Sequence, residues 1–358
     1  MADLSIDLCG ISLPNPFVLA SGPLTWNAKA IQAAFAAGAG AAVTKTIRPQ
    51  ATVNPTPHIA DAGRGSLLNT EGWSDFSAEE WLQREFPALR ERRGRTLIAS
   101  LGHTPAEVSE LAGPVAKAGP DMLELVSCRA EDAAPMVAAA KQKATLPVLI
   151  KVSANWPNLI EVVEACLQAG ADGVTAIDSI GPTLRIDVET GEPLLGSFAW
   201  LSGRAILPIS LRVVAQICQR YGVPVVGTGG VGQAEDAVEM VMAGATAVGV
   251  HSLPLLRGMG WFGKTLSSMD RWLEARGHSR LADLRGVALP HLQESMPSTP
   301  LAFAFDRDLC TRCGRCVTVC AYGARELTDE GEMLLDEEVC RSCGLCVTVC
   351  APDALGVV

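Results

Sequence analysis

The sequence predicts an α/β fold, a (β/α)8 TIM barrel followed by a small cysteine-rich domain. Three observations lead there. From residue 17 to residue 275, short apolar runs alternate with amphipathic helical stretches, the rhythm of parallel strands buried on both faces. Ala37-Gly38-Ala39, Ala118-Gly119-Pro120, Ala169-Gly170-Ala171 and Ala243-Gly244-Ala245 each stand just before such a run, where glycine closes the preceding helix in a left-handed conformation. Between Cys310 and Cys350 the pattern C-x-x-C-x-x-C-x-x-x-C occurs twice, the second copy thirty residues after the first.

Residues 4 to 20 predict short strands around a turn at Leu13-Pro14-Asn15-Pro16, ending in the first barrel strand, Phe17 to Ala20. The helix Ala28 to Ala37 follows, then the strand Ala42 to Lys45. Thr96 to Ser100 precedes the helix Pro105 to Ala118, and Met122 to Val126 precedes the helix Ala133 to Lys143. Pro147 to Lys151 leads into the helix Ile160 to Gln168; Gly173 to Ile177 leads, after a long loop, into the helix Ser210 to Arg220. Pro224 to Gly227 precedes the helix Ala234 to Ala243, and Ala247 to Val250 precedes a helix from about Trp261 to Ala275. Eight strands with this regular return close into a barrel more readily than they spread into an open sheet. Loops 46–95 and 178–206 exceed the barrel's plain plan. Both follow strand ends, so both are expected over the carboxyl end of the barrel, where sites of this fold sit. Residues 277–306, with Pro290, Pro297 and Pro300, read as a linker, which sets the domains at 1–300 and 301–358.

At 358 residues, 48% hydrophobic and mean hydropathy +0.24, the chain can bury one large core and a small module. A net charge of -10 without a basic cluster argues against nucleic acid and anionic membrane as partners. The first residues carry no basic n-region, and no later segment reaches the roughly eighteen apolar residues of a membrane helix. A cytoplasmic protein with no membrane span is expected.

The doubled cysteine spacing is the one bacterial two-cluster ferredoxins use: three thiolates of each run reach one iron–sulfur cube and the fourth reaches the other. It assigns one [4Fe-4S] cluster to Cys310, Cys313, Cys316 and Cys350, and a second to Cys340, Cys343, Cys346 and Cys320. Structural zinc, the alternative, wants two C-x-x-C pairs separated by a longer loop, and neither run is built that way. Of the remaining cysteines, Cys166 and Cys218 lie on apolar helix faces and Cys9 in the N-terminal hairpin. Cys128 ends the extension of the fourth strand, where a loop thiol can reach a substrate and act as general acid.

Gly227-Thr228-Gly229-Gly230-Val231-Gly232 matches G-x-G-x-x-G, a nicotinamide signature, but the acidic residue due about twenty positions later is replaced by Val250 and His251. On the seventh strand of a barrel the glycines read better as a phosphate cradle, completed by His251-Ser252, for flavin mononucleotide (FMN) or a phosphorylated substrate. Iron–sulfur clusters on the same chain favour the flavin, which converts one-electron traffic into hydride chemistry. Lys45 and Lys151 fall at strand carboxyl ends, where an ammonium can stabilise an anionic reduced flavin.

These residues carry a resemblance. The barrel resembles the dihydroorotate dehydrogenase family, through Asn15-Pro16-Phe17 with Ala20-Ser21-Gly22, Val43-Thr44-Lys45-Thr46, Asn54-Pro55-Thr56-Pro57, Asn69 to Gly72, Ser127-Cys128, Ile150-Lys151, Leu201-Ser202-Gly203 and Gly227 to Gly230. Barrel plus eight-cysteine tail is similar to the pyrimidine-reducing subunit of bacterial dihydropyrimidine dehydrogenase. The resemblance implies FMN held by Ala20, Ser21, Gly22, Lys45, Thr46, Lys151, Ser202, Gly203, Gly229, Gly230 and Ser252, with Cys128 as acid/base beside Lys151. It implies a substrate held by Asn69, Asp178 and Ser179. Several pyrimidine-binding asparagines of that family are replaced: Leu125 stands where one is expected, Arg129-Ala130 replace proline and asparagine, and Asp75 and Asp178 replace two more. An ionised aspartate only accepts hydrogen bonds, whereas an amide also donates.

The expected function is an FMN and iron–sulfur oxidoreductase acting on the C=C/CH-CH bond of a small polar, cyclic molecule. A nicotinamide domain is lacking, so the expected partner is an NAD(P)H-oxidising flavoprotein subunit or a ferredoxin, within an oligomer. The alternative is a non-catalytic electron-transfer or scaffold subunit.

Overall fold

The computed structural model of the chain describes residues 2–92, 94–293 and 299–358, and divides into two compact units, Met1–Leu292 and Gln293–Val358. In the first unit, eight parallel strands close into a barrel. They are β1 (Phe17–Leu19), β2 (Ala41–Val43), β3 (Thr96–Gly102), β4 (Met122–Val126), β5 (Val148–Val152), β6 (Gly173–Ala176), β7 (Val225–Thr228) and β8 (Ala247–Val250), each hydrogen-bonded to the next, and β8 to β1. The order is the one the alternating pattern predicts.

Side chains alternate in and out along a strand, and that alternation builds the barrel interior in layers. Val18, Ala41, Val43, Ile98, Met122, Leu149, Val226 and Ala247 pack together, closed off by Leu8 and Leu13 of the N-terminal hairpin. Two residues further along four of these strands stand Ser100, Glu124, Lys151 and Thr228, joined by Thr175 of β6, so the interior turns polar toward the carboxyl end. The hairpin itself (Ile6–Leu8 and Ile11–Leu13) turns at Cys9-Gly10, both with positive φ, and not at Leu13-Pro14-Asn15-Pro16. Two left-handed residues give the tight turn that two-stranded ribbons favour, and the prolines instead lead straight into β1.

Outer helices bury one stripe each. In Pro105–Lys117 the buried positions are Val108, Leu111, Ala112 and Val115, the spacing of a single helical face. Helix Ala28–Ala37 ends on Gly38 at φ 112°, and Gly119, Gly170 and Gly244 are likewise left-handed, as the repeated steps predict. Two helices start about a turn earlier than the sequence predicts, at Ala130 and Leu207.

The two long loops share one structure. Ile59–Gly63 and Ser66–Asn69 from the first, and Ile180–Thr183 and Ala199–Gly203 from the second, form a four-stranded antiparallel sheet with Ser66–Asn69 paired to Ala199–Gly203. The first loop also carries a helical stretch, 78–88, that the sequence reading leaves as loop. Much of the expected linker is barrel: Leu281 and Leu284 are buried, and Gly286 and Ala288 donate to the carbonyls of Val241 and Met242. Pro297 of that linker lies outside the described residues.

The second unit is a pseudo-symmetric repeat. Phe303–Phe305 pairs with Leu355–Val357, and Met333–Leu335 pairs with Arg325–Leu327, the same arrangement moved by thirty residues. Short helices Arg315–Thr318 and Leu345–Thr348 start after left-handed Gly314 and Gly344. The closed parallel barrel and the ferredoxin-like repeat are the fold class that the sequence predicts.

Candidate functional site

At the carboxyl ends of the barrel strands lies a cavity of about 580 Å³. It brings together every FMN and substrate position named from the sequence: Ala20, Ser21 and Gly22 after β1, Lys45 and Thr46 after β2, Cys128 after β4, Lys151 in β5, Asp178 and Ser179 after β6, Gly229 and Gly230 after β7, and Ser252 after β8. Asn69, Ser202 and Gly203 come from the antiparallel sheet.

Gly229 and Gly230 have φ of 116° and 91°, and a Cβ on Gly230 would lie 2.4 Å from the Cα of Leu207. Only glycine fits there. The amides of Gly230 and Val231 donate to no backbone carbonyl among the described residues, so two donors remain open at this bend. Beside it the hydroxyls of Ser202 and Ser252 are 2.9 Å apart. His251 donates from Nδ1 to the carbonyl of Ala20 at 2.7 Å while its Nε2 accepts from the amide of Leu24. Burial depresses its pKa to about 4, so the ring is neutral and ties the start of the chain's first site loop to the end of β8.

Neither lysine is a free cation. Lys45, 3% exposed, places Nζ 2.7 Å from Glu71 Oε1 and 2.9 Å from Asp75 Oδ2. Asp75 also accepts from Asn54 Nδ2, and Asn54 accepts from the amide of Gly72, which braces the first loop internally while Lys45 ties it to the barrel. Lys151 Nζ is 3.0 Å from Asp178 Oδ1. Burial alone would depress the pKa of Lys151, but the carboxylates of Asp178 and Glu124 outweigh it and hold the ammonium above its ordinary range. Glu124, 2% exposed in the layer beneath, bonds Thr175 through Oε2 and leaves Oε1 unpartnered; burial pushes its pKa up.

Cys128 is the one exposed cysteine of the barrel unit. Burial of its Sγ, then the nearby charge of Asp178, raise its pKa, so the thiol keeps its proton at neutral pH. Asn69 donates to the carbonyl of Trp200 at 3.3 Å, and Trp200, Trp73 and Trp156 add aromatic wall.

Glu71, Glu124, Asn155 and the tryptophans are site residues that sequence reasoning missed. Glu124 had a signal: a charge inside the apolar run Leu123-Glu124-Leu125 is costly unless it has a task. Asn155 donates to the carbonyl of Gly181, which bridges two site loops and has no sequence signal.

In the second unit, Cys320 of the first run lines one small cavity with Cys340, Cys343 and Cys346 of the second. The pKa of Cys316 is raised by burial and by the neighbouring charges of Cys350 and Cys313. Thiols of the two runs thus lie near one another, Cys320 by three of the second run and Cys316 by Cys350. Among the described residues no three such ligands gather tightly enough to hold a single metal ion.

No helix among the described residues is long and apolar enough to cross a membrane. Residues 3–273 match the family described as dihydroorotate dehydrogenase, and residues 309–354 match a 4Fe-4S dicluster domain. Among curated relatives, a protein of Methanosarcina mazei is 36% identical over 302 residues, covering 80% of this chain and 95% of its own length. Others are from Pelobacter propionicus, 31% identical with 80% and 98% covered, and from Pyrococcus abyssi, 30% identical with 80% and 99% covered. All three are named dihydroorotate dehydrogenase B (NAD(+)), catalytic subunit. With its closed barrel, its cavity at the strand ends and its cysteine-rich repeat, the chain belongs to the dihydroorotate dehydrogenase family, oxidoreductases acting on CH-CH groups, and carries a C-terminal 4Fe-4S dicluster domain.

Proposed function

We propose that the chain is an FMN-dependent oxidoreductase with two [4Fe-4S] clusters that interconverts the C=C and CH-CH forms of a small, polar, uncharged ring, in the manner of dihydropyrimidine dehydrogenase. The observation that carries this reading is the convergence of the Gly229-Gly230 bend, Lys151 and Cys128 on one cavity. The bend fits a phosphate: two open amides, and a backbone at Gly230 too close to Leu207 for any side chain. Ala20, Ser21, Gly22, Lys45, Thr46, Lys151, Ser202, Gly203 and Ser252 complete the binding set. FMN, when bound, supplies hydride exchange with carbon and single-electron exchange with the clusters.

The chain's own residues supply the proton and the field. Cys128, protonated at neutral pH, delivers the Sγ proton to one carbon of the double bond and takes it back in the reverse direction. Lys151, kept charged by Asp178 and Glu124, presents a fixed positive charge to the flavin ring. Asn69, Asp178 and Ser179 orient the substrate.

The charge pattern narrows the substrate. Both lysines are committed to carboxylates, and no arginine lines the cavity among the described residues. An acid such as dihydroorotate meets no free cation there, whereas a neutral ring with N–H donors meets the acceptor-only carboxylates of Asp178 and Glu71. The names of the relatives specify a catalytic subunit and NAD(+). This supports electron exchange with a separate NAD(P)H-oxidising flavoprotein subunit or a ferredoxin, through clusters on Cys310, Cys313, Cys316 and Cys350 and on Cys340, Cys343, Cys346 and Cys320.

The test is anaerobic purification with cofactor quantification, followed by mixing the reduced flavin separately with uracil, thymine and orotate. One FMN and about eight iron atoms per chain, with reoxidation by a neutral ring and not by orotate, are expected. Reoxidation by orotate alone would return the substrate to dihydroorotate. Iron without flavin would favour a non-catalytic electron-transfer subunit.

A further inference from the structure

Corresponding positions in the two halves of the cysteine-rich unit are thirty residues apart, and one pair breaks the equivalence. Arg325 follows Cys320 by five residues, as Leu355 follows Cys350. Each begins a paired strand, Arg325 opposite Leu335 and Leu355 opposite Phe305, so the two occupy the same place in their halves. Leu355 is 3% exposed and Arg325 only 6%. The guanidinium carbon of Arg325 lies 4.6 Å from the centre of the Phe303 ring, and its buried Nη2 has no hydrogen-bond partner. Arg325 lines the same cavity as Cys320, Cys340, Cys343 and Cys346. Arginine stays charged in proteins, and burying it short of partners is costly. Leucine fills the matching position, so the fold of the half does not demand an arginine.

We infer that Arg325 sets the reduction potentials of the two clusters apart, making the one on Cys320, Cys340, Cys343 and Cys346 the higher-potential member of the pair. This rests on the two-cluster reading given above. One-electron reduction takes [4Fe-4S]2+ to [4Fe-4S]1+; it adds one negative charge and moves no proton. A cation fixed in a poorly screened setting stabilises the more negative product. The cluster beside Leu355 has no such neighbour at the matching position and is reduced at lower potential. A single electron entering the unit therefore rests on the Arg325 side.

The full-length protein, with its clusters, is titrated with dithionite in the presence of mediators and followed by the electron paramagnetic resonance of the reduced clusters. Two one-electron waves are expected, separated by at least a tenfold difference in reduced-to-oxidised ratio, which is about 59 mV for one electron. Arg325→Leu should lower the upper wave by at least tenfold and leave the lower one in place, while Arg325→Lys should retain most of the separation. Leu355→Arg, which does not depend on Arg325 being replaceable, should raise the lower wave. Coincident waves in the unaltered protein overturn the inference. So do midpoints that stay in place in Arg325→Leu or in Leu355→Arg. Iron content separates the two failures: about eight atoms per chain with coincident waves sinks only the role of Arg325, whereas about four sinks the two-cluster reading with it.

Discussion

The ammonium of Lys151 and the carboxylate of Asp178 lie 3.0 Å apart in the cavity, and the pair is set over a second, buried carboxyl at Glu124. Asp178 thus does two things at once: it supports the charge on Lys151, and it lines the cavity with an acceptor. Asp178→Asn should separate the two. Loss of its charge removes the strongest carboxylate acting on Lys151, and the amide both donates and accepts. Reoxidation of the reduced flavin by orotate should rise at least tenfold relative to uracil; an unchanged ratio would remove Asp178 from substrate selection.

Cys128→Ala should leave flavin content intact and slow turnover by about 10²- to 10⁴-fold, the usual worth of a positioned acid. The thiol pKa is raised, so the reductive reaction should persist through neutral pH and fall only as pH climbs through that raised value. Cys128→Ser should lose this alkaline limb, since a serine hydroxyl does not titrate in the range. Rate–pH profiles of the two variants check both points.

At Gly230 an added Cβ would press on Leu207 at 2.4 to 2.5 Å, in a backbone conformation that costs a non-glycine residue about 1–2 kcal/mol. Gly230→Ala should therefore lower the ratio of flavin absorbance to protein several-fold, together with a lower Tm. Full flavin occupancy in this variant would place the phosphate elsewhere.

Glu124→Gln tests the buried carboxyl. A folded-state pKa raised by burial means that the native protein holds this proton more tightly than the unfolded chain, so stability contributed here declines as pH rises from the ordinary carboxylate range toward the raised value. The amide mimics the protonated form, and its Tm should gain on the parent's as pH increases from about 5 to 8. A constant Tm difference across that window would show Glu124 ionised throughout.

Cys320→Ser should abolish the cluster of Cys340, Cys343 and Cys346 while sparing that of its own run, leaving about four iron atoms per chain. Loss of the other cluster instead would reverse the crossed assignment.

Much of this molecule is written in local signals. The left-handed glycines at Gly38, Gly119, Gly170 and Gly244 mark helix ends, and the cysteine spacing marks the repeat, because each depends on neighbours within a few residues. What the sequence hides is held by distant partners. Lys45 reads as a free cation until Glu71 and Asp75, from a loop 26 and 30 positions away, are seen to close on it. The turn at Cys9-Gly10 is masked by the louder prolines at Pro14 and Pro16, and the helical stretch 78–88 by Pro87 and the length of its loop. Residues 281–291 look like linker because they share a stretch with Pro290, Pro297 and Pro300, yet Leu281 and Leu284 are buried.

Asn69 and Trp200 are neighbours across two strands although 131 positions separate them. The roof of the cavity is thus stitched from two insertions along one seam, with Ser66–Asn69 bonded to its own loop on one side and to Ala199–Gly203 on the other. A chimera that borrowed only one insertion from a relative would expose a row of unpaired amides across the mouth of the barrel. Substrate range in such a chain can be traded only by moving both insertions together, as a matched set.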